Sequence, residues 1–346
     1  MVDATRSSGI QIQKAEAEST MDADVAVCEY LKEEIFPQLA SPPYGEIEVI
    51  NLSYKRPVYL FLEKEKNIMV IGKFFEVESI PLEQAWLEAD KEYLNLKLLR
   101  ERFGMSLDTD KVVAPLGAKR DFSALLVTER ATGQPLDHYI ARAIYEQQRE
   151  ELFQMLGYLA RFFIKLHCAS ETDRSVSPDL PQFYLETLLD SLSKSGLKHS
   201  DRANFEEYAA RWWDESEIFV SDREVIVHGD ATPTNFFFDH GNVTAIDLEK
   251  MKWADRCWDL GFVVAELKHH FMWRMGSGWA AEPFIGHFLW EYAVNYGDTQ
   301  FFHIITRKIP LYMAMGLLRI ARNLWLSDPY REGLILEAKQ CLKFGL

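Results

Sequence analysis

Between Glu46 and Phe75 apolar and polar positions alternate in three short runs, Glu46 to Leu52, Val58 to Leu62 and Ile68 to Phe75. A period of two marks half-buried strands, and the charged stretch Glu63 to Asn67 joins the last two as a hairpin. The period then lengthens. From Pro81, suited to open a helix, to Gly104, suited to close one, a stripe recurs at Ala85, Ala89, Glu92, Leu96, Leu99 and Phe103. Its steps of three and four predict one helix face. Strand-like runs return at Lys111 to Gly117 and Phe122 to Thr128, so the first third reads β-β-β-α-β-β.

After Gly133 the texture changes. Glu150 to His167 is a long amphipathic helix with Leu152, Met155, Leu156, Leu159, Phe163 and Leu166 on one side, and Glu171 to Pro181 reads as a loop. Helical patterns run on to about Glu217. Strand character then interrupts, and from Ala254 to the end the chain is helical again and rich in Trp, Phe and Tyr. The longest apolar stretch, Ile309 to Leu318, holds Pro310 and is followed by Arg319 and Arg322, which makes it a core helix and not a membrane span. The expected fold class is α+β and bilobal: a loose tail over residues 1–25, a small antiparallel β-rich lobe over 26–130 with one key helix, and a larger, mainly helical lobe over 131–346.

Bulk properties narrow the function. A length of 346 residues exceeds one core of ordinary size, and 48% apolar with 13% aromatic residues excludes a disordered chain. The net charge of −15 speaks against nucleic acid or an anionic membrane surface as partner. Four cysteines without a CxxC pair argue against a cysteine zinc site or a disulfide framework and for reduced thiols, as in the cytoplasm. The first 25 residues lack an apolar h-region, so no signal peptide is expected.

One stretch concentrates the chemistry: VHGDATPTNFFFDHGNVTAIDLEK, Val227 to Lys250. Apolar Phe236 to Phe238 and Val243 to Ile246 flank Asp239, His240, Gly241 and Asn242, which predicts a hairpin with a turn of about four residues. If Phe238 faces Val243, Asn235 faces Ile246, and Asp247 falls beside Asn235 at the open end. Asp230, in a loop stiffened by Pro233, joins them. Two carboxylates and an amide oxygen are hard ligands suited to Mg²⁺ and phosphate oxygens. The plainer reading is a set of polar strand ends. A transition-metal hydrolase site built from His228, His240, Asp230 and Asp247 is the third, and the hairpin pulls its members apart.

These residues carry a resemblance. H-G-D-x4-N followed by I-D is similar to the catalytic loop and metal motif of the aminoglycoside phosphotransferase and choline kinase group, relatives of the protein kinases. The resemblance spans about residues 45 to 345. It implies that Asp230 orients the acceptor hydroxyl and takes its proton, and that Asn235 and Asp247 hold Mg²⁺ against ATP. Glu249, two residues past Asp247 where kinases have Gly, either assists the metal or faces solvent, with solvent favoured. The strand from Phe122 to Glu129 would lead to a hinge where backbone groups of Thr128, Glu129 and Arg130 meet adenine. Leu159 to His167 resembles the helix supporting the catalytic loop, and Asp255 to Gly261 resembles the segment after the metal aspartate, with Asp259 structural. The loop Leu52 to Pro57 departs from the pattern: it contains no Gly, and Ser53, Lys55 and Arg56 are left to touch phosphate.

A kinase also needs a cation on the phosphates, held by a helix acid. Alternation puts Lys73 on one strand face with Met69, Ile71 and Phe75, and Glu92 lies on the apolar helix stripe. Each charge is costly there alone, and they answer each other. Otherwise Lys73 snorkels outward and Glu92 sits at the stripe's edge, and Glu88 is the second candidate partner.

The expected function is therefore transfer of the γ-phosphoryl group of ATP, with Mg²⁺, to a hydroxyl of a small molecule: an aminoglycoside, sugar or amino alcohol. The acceptor wall is mixed. Asp255, Glu266, Glu282, Glu291 and Asp298 would favour a cation. Lys268, His269, His270 and Arg274 would favour an anion such as a lipopolysaccharide core sugar. Trp253, Trp258, Trp273 and Trp279 would stack on a sugar or, more simply, fill the core. A non-catalytic pseudokinase or scaffold is the alternative of a different class, supported by the Gly-free loop. Protein phosphorylation is disfavoured, because no D-F-G to A-P-E segment follows Asp247.

Overall fold

The structure, a computed structural model, describes residues 25–53, 57–106, 109–215, 217–297 and 301–346. The expected tail up to residue 24, Lys55 and Arg56 of the Gly-free loop, and Asp298 lie outside the described residues.

The chain opens with α1 (Val25–Tyr30), which runs on through Leu31–Ile35 as a widened turn. Three strands follow, β1 (Ile47–Ser53), β2 (Val58–Glu63) and β3 (Ile68–Phe74), then α2 (Leu82–Arg102). Next come β4 (Lys111–Val112), β5 (Pro115–Lys119), β6 (Leu125–Glu129) and β7 (Gln134–Pro135). Helices α3 (Leu136–Tyr145), α4 (Arg149–Ser170), α5 (Asp179–Lys194), α6 (His199–Asp214) and α7 (Glu217–Val220) build the second region. Short strands β8 (Val225–Val227), β9 (Phe236–Asp239), β10 (Asn242–Ala245) and β11 (Lys252–Ala254) interrupt it. It closes with α8 (Cys257–Met275), α9 (Glu282–Tyr296), α10 (Phe301–Ala321) and α11 (Asp328–Phe344). The result is an α+β fold with an antiparallel sheet first and a helical part after it.

The first sheet runs β1-β2-β3-β6-β5, antiparallel throughout. Its register sets Lys73 between Val58 and Leu126. One face is covered by α1, with Val27 and Tyr30 against Val70, Leu125 and Val127. The other packs on α2, with Ala85 and Ala89 against Phe75, Ala124 and Leu126. The stripe read from the sequence is the buried face of α2: Ala85, Ala89, Glu92, Leu96 and Leu99. Its far half, Leu96 and Leu99, joins the large core of the helical region. Helix α2 thus crosses from one core to the other, and Glu92 sits at the crossing.

The expected single strand Lys111 to Gly117 is divided. Lys111 and Val112 pair in parallel with β10, in the sheet β4-β10-β9-β7, while Pro115 onward pairs with β6. A bulge at Pro115 and Gly117 marks the switch between sheets. Buried Asp110 ties that junction down. It accepts from Arg161 at 2.6 Å and from the Val243 N–H at 3.1 Å.

Among the four tryptophans weighed as core or sugar platform, Trp258 is buried, whereas Trp253, Trp273 and Trp279 are exposed. The core reading therefore holds for Trp258 alone. Among the described residues no helix is long and apolar enough to cross a membrane.

Candidate active site

The hairpin has the register expected from its sequence. Phe238 pairs with Val243, and the Ile246 N–H donates to the Asn235 carbonyl at 3.0 Å. Its turn is tighter than expected. Asp239 pairs with Asn242, leaving a two-residue loop of His240 and Gly241, both with positive φ, the geometry that suits a twisted hairpin. His240 stands exposed at that tip. His228 is buried at the other end, its Nε2 2.9 Å from the Ile246 carbonyl. The hydrolase set is thus separated.

The loop before the hairpin is held from below. Asp259, at the start of α8, accepts the N–H groups of His228 at 2.7 Å and Gly229 at 2.9 Å. Its carboxylate also lies 3.5 Å from His167 Nε2, whose other nitrogen meets the Tyr292 hydroxyl at 2.9 Å. Gly229 has φ +82°, and a Cβ there would stand 2.2 Å from the Lys250 carbonyl, so only glycine lets the two chain segments pass. Lys250 links Asp230 to the neighbourhood of Asp247: its ammonium lies 2.6 Å from Asp230 and 3.9 Å from Glu249, which shares Lys73 with Asp247. The Asn235 amide donates to the Asp230 carbonyl at 3.0 Å, which leaves its oxygen as acceptor. Asp247 itself takes the left-handed conformation, φ 63° and ψ 58°, sparsely populated outside glycine and typical of residues held for a purpose.

Lys73 reaches Asp247 from the sheet. Its ammonium lies 2.7 Å from Glu92, 2.5 Å from Asp247 and 3.4 Å from Glu249. The pair expected from two misplaced charges is present, and Glu92, not Glu88, is the partner. Glu249 departs from the favoured reading. It turns inward, with oxygens of Glu92, Asp247 and Glu249 all within 4.8 Å of one another. Three carboxylates surround the Lys73 ammonium, and the Lys250 ammonium also lies 3.9 Å from Glu249. Burial, and then its charged neighbours Asp247 and Glu249 opposing Lys73, leave Glu92 raised to about 7. Lys73 is raised above its ordinary value: burial alone would lower it, and Glu92, Asp247 and Glu249 prevail.

Asp230 is built differently. Burial alone would raise its carboxyl, but Arg319 and Lys250 hold it down at about 2. One oxygen accepts from the Arg319 guanidinium and the other from Lys250 at 2.6 Å. Arg319 also reaches Glu266 at 3.0 Å. Arg319 and Lys250 were not singled out from the sequence. A trace was present in Arg319 and Arg322, placed three residues apart just past the apolar run of α10.

At the hinge strand, Thr128 pairs with Ile71 and Pro115, and the Glu129 N–H donates to the Ala114 carbonyl at 2.9 Å. A base at this strand end would therefore have to use other backbone groups. The Glu129 carboxylate faces Lys111 at 3.3 Å.

The acceptor wall is largely self-paired. Buried Asp255 meets Lys308 at 2.7 Å, and Lys268 meets Glu282 at 2.5 Å. Arg274 meets Asp137 at 2.6 Å, and His269 Nδ1 lies 2.8 Å from the Tyr330 hydroxyl. Glu291 flanks Gly157 of α4. Among the described residues, Asp255, Glu266, Glu282, Lys268, His269 and Arg274 of the two charge sets are thus engaged within the chain.

A sheet region and a helical region joined by a lysine that is ion-paired to a helix Glu and a hairpin Asp define a phosphotransferase of the small-molecule kinase class. A model of the phosphotransferase enzyme family matches residues 87–294, and the chain belongs to that family. The fold is similar to that of an ethanolamine kinase from Plasmodium vivax, at TM-score 0.61 and 12% identity over 94% of this chain and 89% of that one. It is similar to a choline kinase from Cryptosporidium parvum, at TM-score 0.59 and 12% identity, covering 92% and 94% of the two chains. It is also similar to APH(2″)-IIa in a ternary complex with streptomycin and ATP, at TM-score 0.58 and 14% identity, covering 94% and 100%. No curated protein sequence matches the chain.

Proposed function

We propose that the chain transfers the γ-phosphoryl group of ATP, bound with Mg²⁺, to a hydroxyl of a small molecule. The observation that carries this reading is Lys73 among three carboxylates. Carboxylates gathered this closely in a partly buried space repel one another, and a divalent cation would relieve that repulsion. The donor set of carboxylates and an amide oxygen is that of Mg²⁺. Asp247 and Asn235 would hold the ion, with Glu249 beside them, and the ion would supply positive charge against the negative charge that develops in phosphoryl transfer.

In this reading Lys73 turns from the carboxylates to the ATP phosphates, and Glu92 keeps it on that side of the seam. Thr128, Glu129 and the residues after them border the adenine, in the segment where β6 leaves the sheet. Asp230 orients the acceptor hydroxyl. A carboxylate held at about 2 is a weak base. It suits a loose transition state, in which the hydroxyl proton leaves late and orientation contributes most. Cys168, Cys257 and Cys341 are free thiols, in keeping with a cytoplasmic compartment.

The pseudokinase alternative keeps the fold without turnover. Calorimetric titration of ATP with and without Mg²⁺ separates the two: Mg²⁺-dependent binding supports the kinase, and its absence supports the scaffold. Asp230→Asn is expected to bind Mg·ATP normally and to lose transfer by roughly 10²–10⁴-fold. Transfer at the wild-type rate would remove Asp230 from the mechanism.

A further inference from the structure

The acceptor side of Asp230 can be read from what remains after the ion pairs are drawn. Strand β11 pairs with β8 so that Lys252 stands opposite Val227, three residues before Asp230. Its ammonium lies 3.6 Å from the ring centroid of Trp258, one face of an aromatic wall. The Trp258 ring is 4.8 Å from Tyr184 of α5 and 5.5 Å from Phe262. The Arg319 guanidinium stacks over Phe262 at 5.2 Å, and Tyr184 lies in the field of Arg319, Arg322 and Asp230. Two cations of this cluster are matched: Lys250 by Asp230, and Arg319 by Asp230 and Glu266. Two are not. Among the described residues Lys252 meets no carboxylate at ion-pair distance, and the Arg322 Nε is buried without a hydrogen-bond partner.

The carboxylates tell the same story from the other side. A site for a cationic acceptor needs an unspent acid near Asp230. Glu266 is taken by Arg319, and Asp137 by Arg274 at 2.6 Å with His270 at 3.5 Å. The local imbalance is therefore positive on the acceptor side and negative on the side of Lys73.

The geometry points to an acceptor that brings its own negative charge: a hydroxyl-bearing small molecule whose phosphate or carboxylate is drawn by Lys252 and Arg322 while its hydroxyl reaches Asp230. This rests on the kinase reading for the hydroxyl and stands apart from it for the anion. Arg322 supplies a planar fork suited to either oxyanion, and Lys252 a point charge beside an apolar wall. Burial lowers Lys252 to about 8, so the amine remains mostly charged at neutral pH and gains from an anionic partner.

Two measurements test this. In the first, inorganic phosphate is titrated into the full chain by calorimetry, in wild type, Lys73→Met, and the double variant Lys252→Met/Arg322→Gln. Methionine keeps the stem over Trp258 and so guards the fold, which circular dichroism checks. Lys339→Ala, which removes a cation paired with Asp201 on a distant face, is the control. Phosphate is expected to bind wild type, Lys73→Met and the control, and to weaken roughly 10–100-fold in the double variant. Absence of binding to wild type, or equal binding by the double variant, overturns the proposal. In the second, ATP consumption with Mg²⁺ is measured for the pairs glycerol and glycerol 3-phosphate, ribose and ribose 5-phosphate, and glycerol and glycerate, beside choline and kanamycin. The anionic member of a pair is expected to be favoured at least tenfold, phosphate and carboxylate arms separating the two sources of charge. Preference for a neutral or cationic acceptor overturns the proposal. Phosphate binding lost in the double variant, with no Mg·ATP binding by wild type, would instead sink the kinase reading and leave the anion site standing.

Discussion

The Glu92 carboxylate holds the Lys73 ammonium at 2.7 Å, at the point where α2 leaves the core of the sheet and enters that of the helices. Glu92→Gln keeps the shape and removes the charge. A charged hydrogen bond is worth about 1.5–3 kcal/mol, so turnover with Mg·ATP is expected to fall roughly ten- to a hundred-fold. Stability should move the other way. Glu92 is raised from its ordinary value to about 7, so the folded chain binds more protons than the unfolded one between about 4.5 and 7. Stability from this group is present at acid pH and lost as pH rises through 7. Above pH 7 and without nucleotide, the variant should melt no lower than wild type. A melting temperature several degrees below wild type at pH 8 would contradict this assignment.

Arg319 is shared by Asp230 and Glu266. Arg319→Met leaves a buried Glu266 with no strong partner, and removing one member of a buried pair costs about 3–5 kcal/mol. Adding Glu266→Gln should recover a large part, because the orphaned charge goes with it. Urea unfolding of the two single variants and the double variant measures the coupling. Additive losses would show that the two side chains do not interact. The Asp230 carboxyl, held at about 2 chiefly by Arg319 and then Lys250, should rise toward its ordinary value in Arg319→Met. The acid limb of phosphoryl transfer would then move to higher pH.

Much of this was legible where one residue contradicted its surroundings. Lys73 on an apolar strand face and Glu92 on an apolar stripe announced each other. The hairpin register followed from Phe238 and Val243, because a period of two leaves little freedom once one face is buried. Glu249 was harder. Its inward turn depends on the left-handed backbone at Asp247, which redirects the next residues and leaves no trace in hydrophobic pattern. Arg319 was harder still, since it lies 89 positions from Asp230 and a helix-end arginine reads equally well as solvated. The division of Lys111 to Gly117 between two sheets escaped for a related reason: both halves satisfy the same alternation, and only tertiary pairing tells them apart. Helix α1 is short, and its pattern is too brief to separate from a tail.

Gly229→Ala tests the crossing beneath the catalytic loop. The new Cβ would meet the Lys250 carbonyl at 2.2 Å, a backbone atom that cannot swing aside, and φ +82° is strained for any side chain. Strain of this kind costs about 1–3 kcal/mol before the overlap is counted. The loop from His228 to Lys250 should shift, lowering both the melting temperature and phosphoryl transfer. Gly286→Ala, on α9 with open space around its Cβ, should leave the melting temperature unchanged or raise it. Equal tolerance at the two positions would mean that the segments do not pass as closely as described.

Lys252 ties stability and acceptor binding to one titration. Burial lowers its amine to about 8, against Asp259 and Asp230, which favour the charge, and Lys250 and Lys91, which oppose it. Between about 8 and the unfolded value of about 10.4 the unfolded chain holds the extra proton, so stability rises with pH across that window and is level below it. The full span amounts to about 3 kcal/mol. Lys252→Met removes this dependence. It should melt above wild type at pH 7 and converge with it near pH 10.5. Binding of inorganic phosphate should behave oppositely, with wild-type affinity falling as pH rises through 8 and the amine loses its charge. A Met variant that melts below wild type at pH 7 would show that the ammonium stabilises the fold, and phosphate affinity that stays level from pH 7 to 9 would separate Lys252 from the anion.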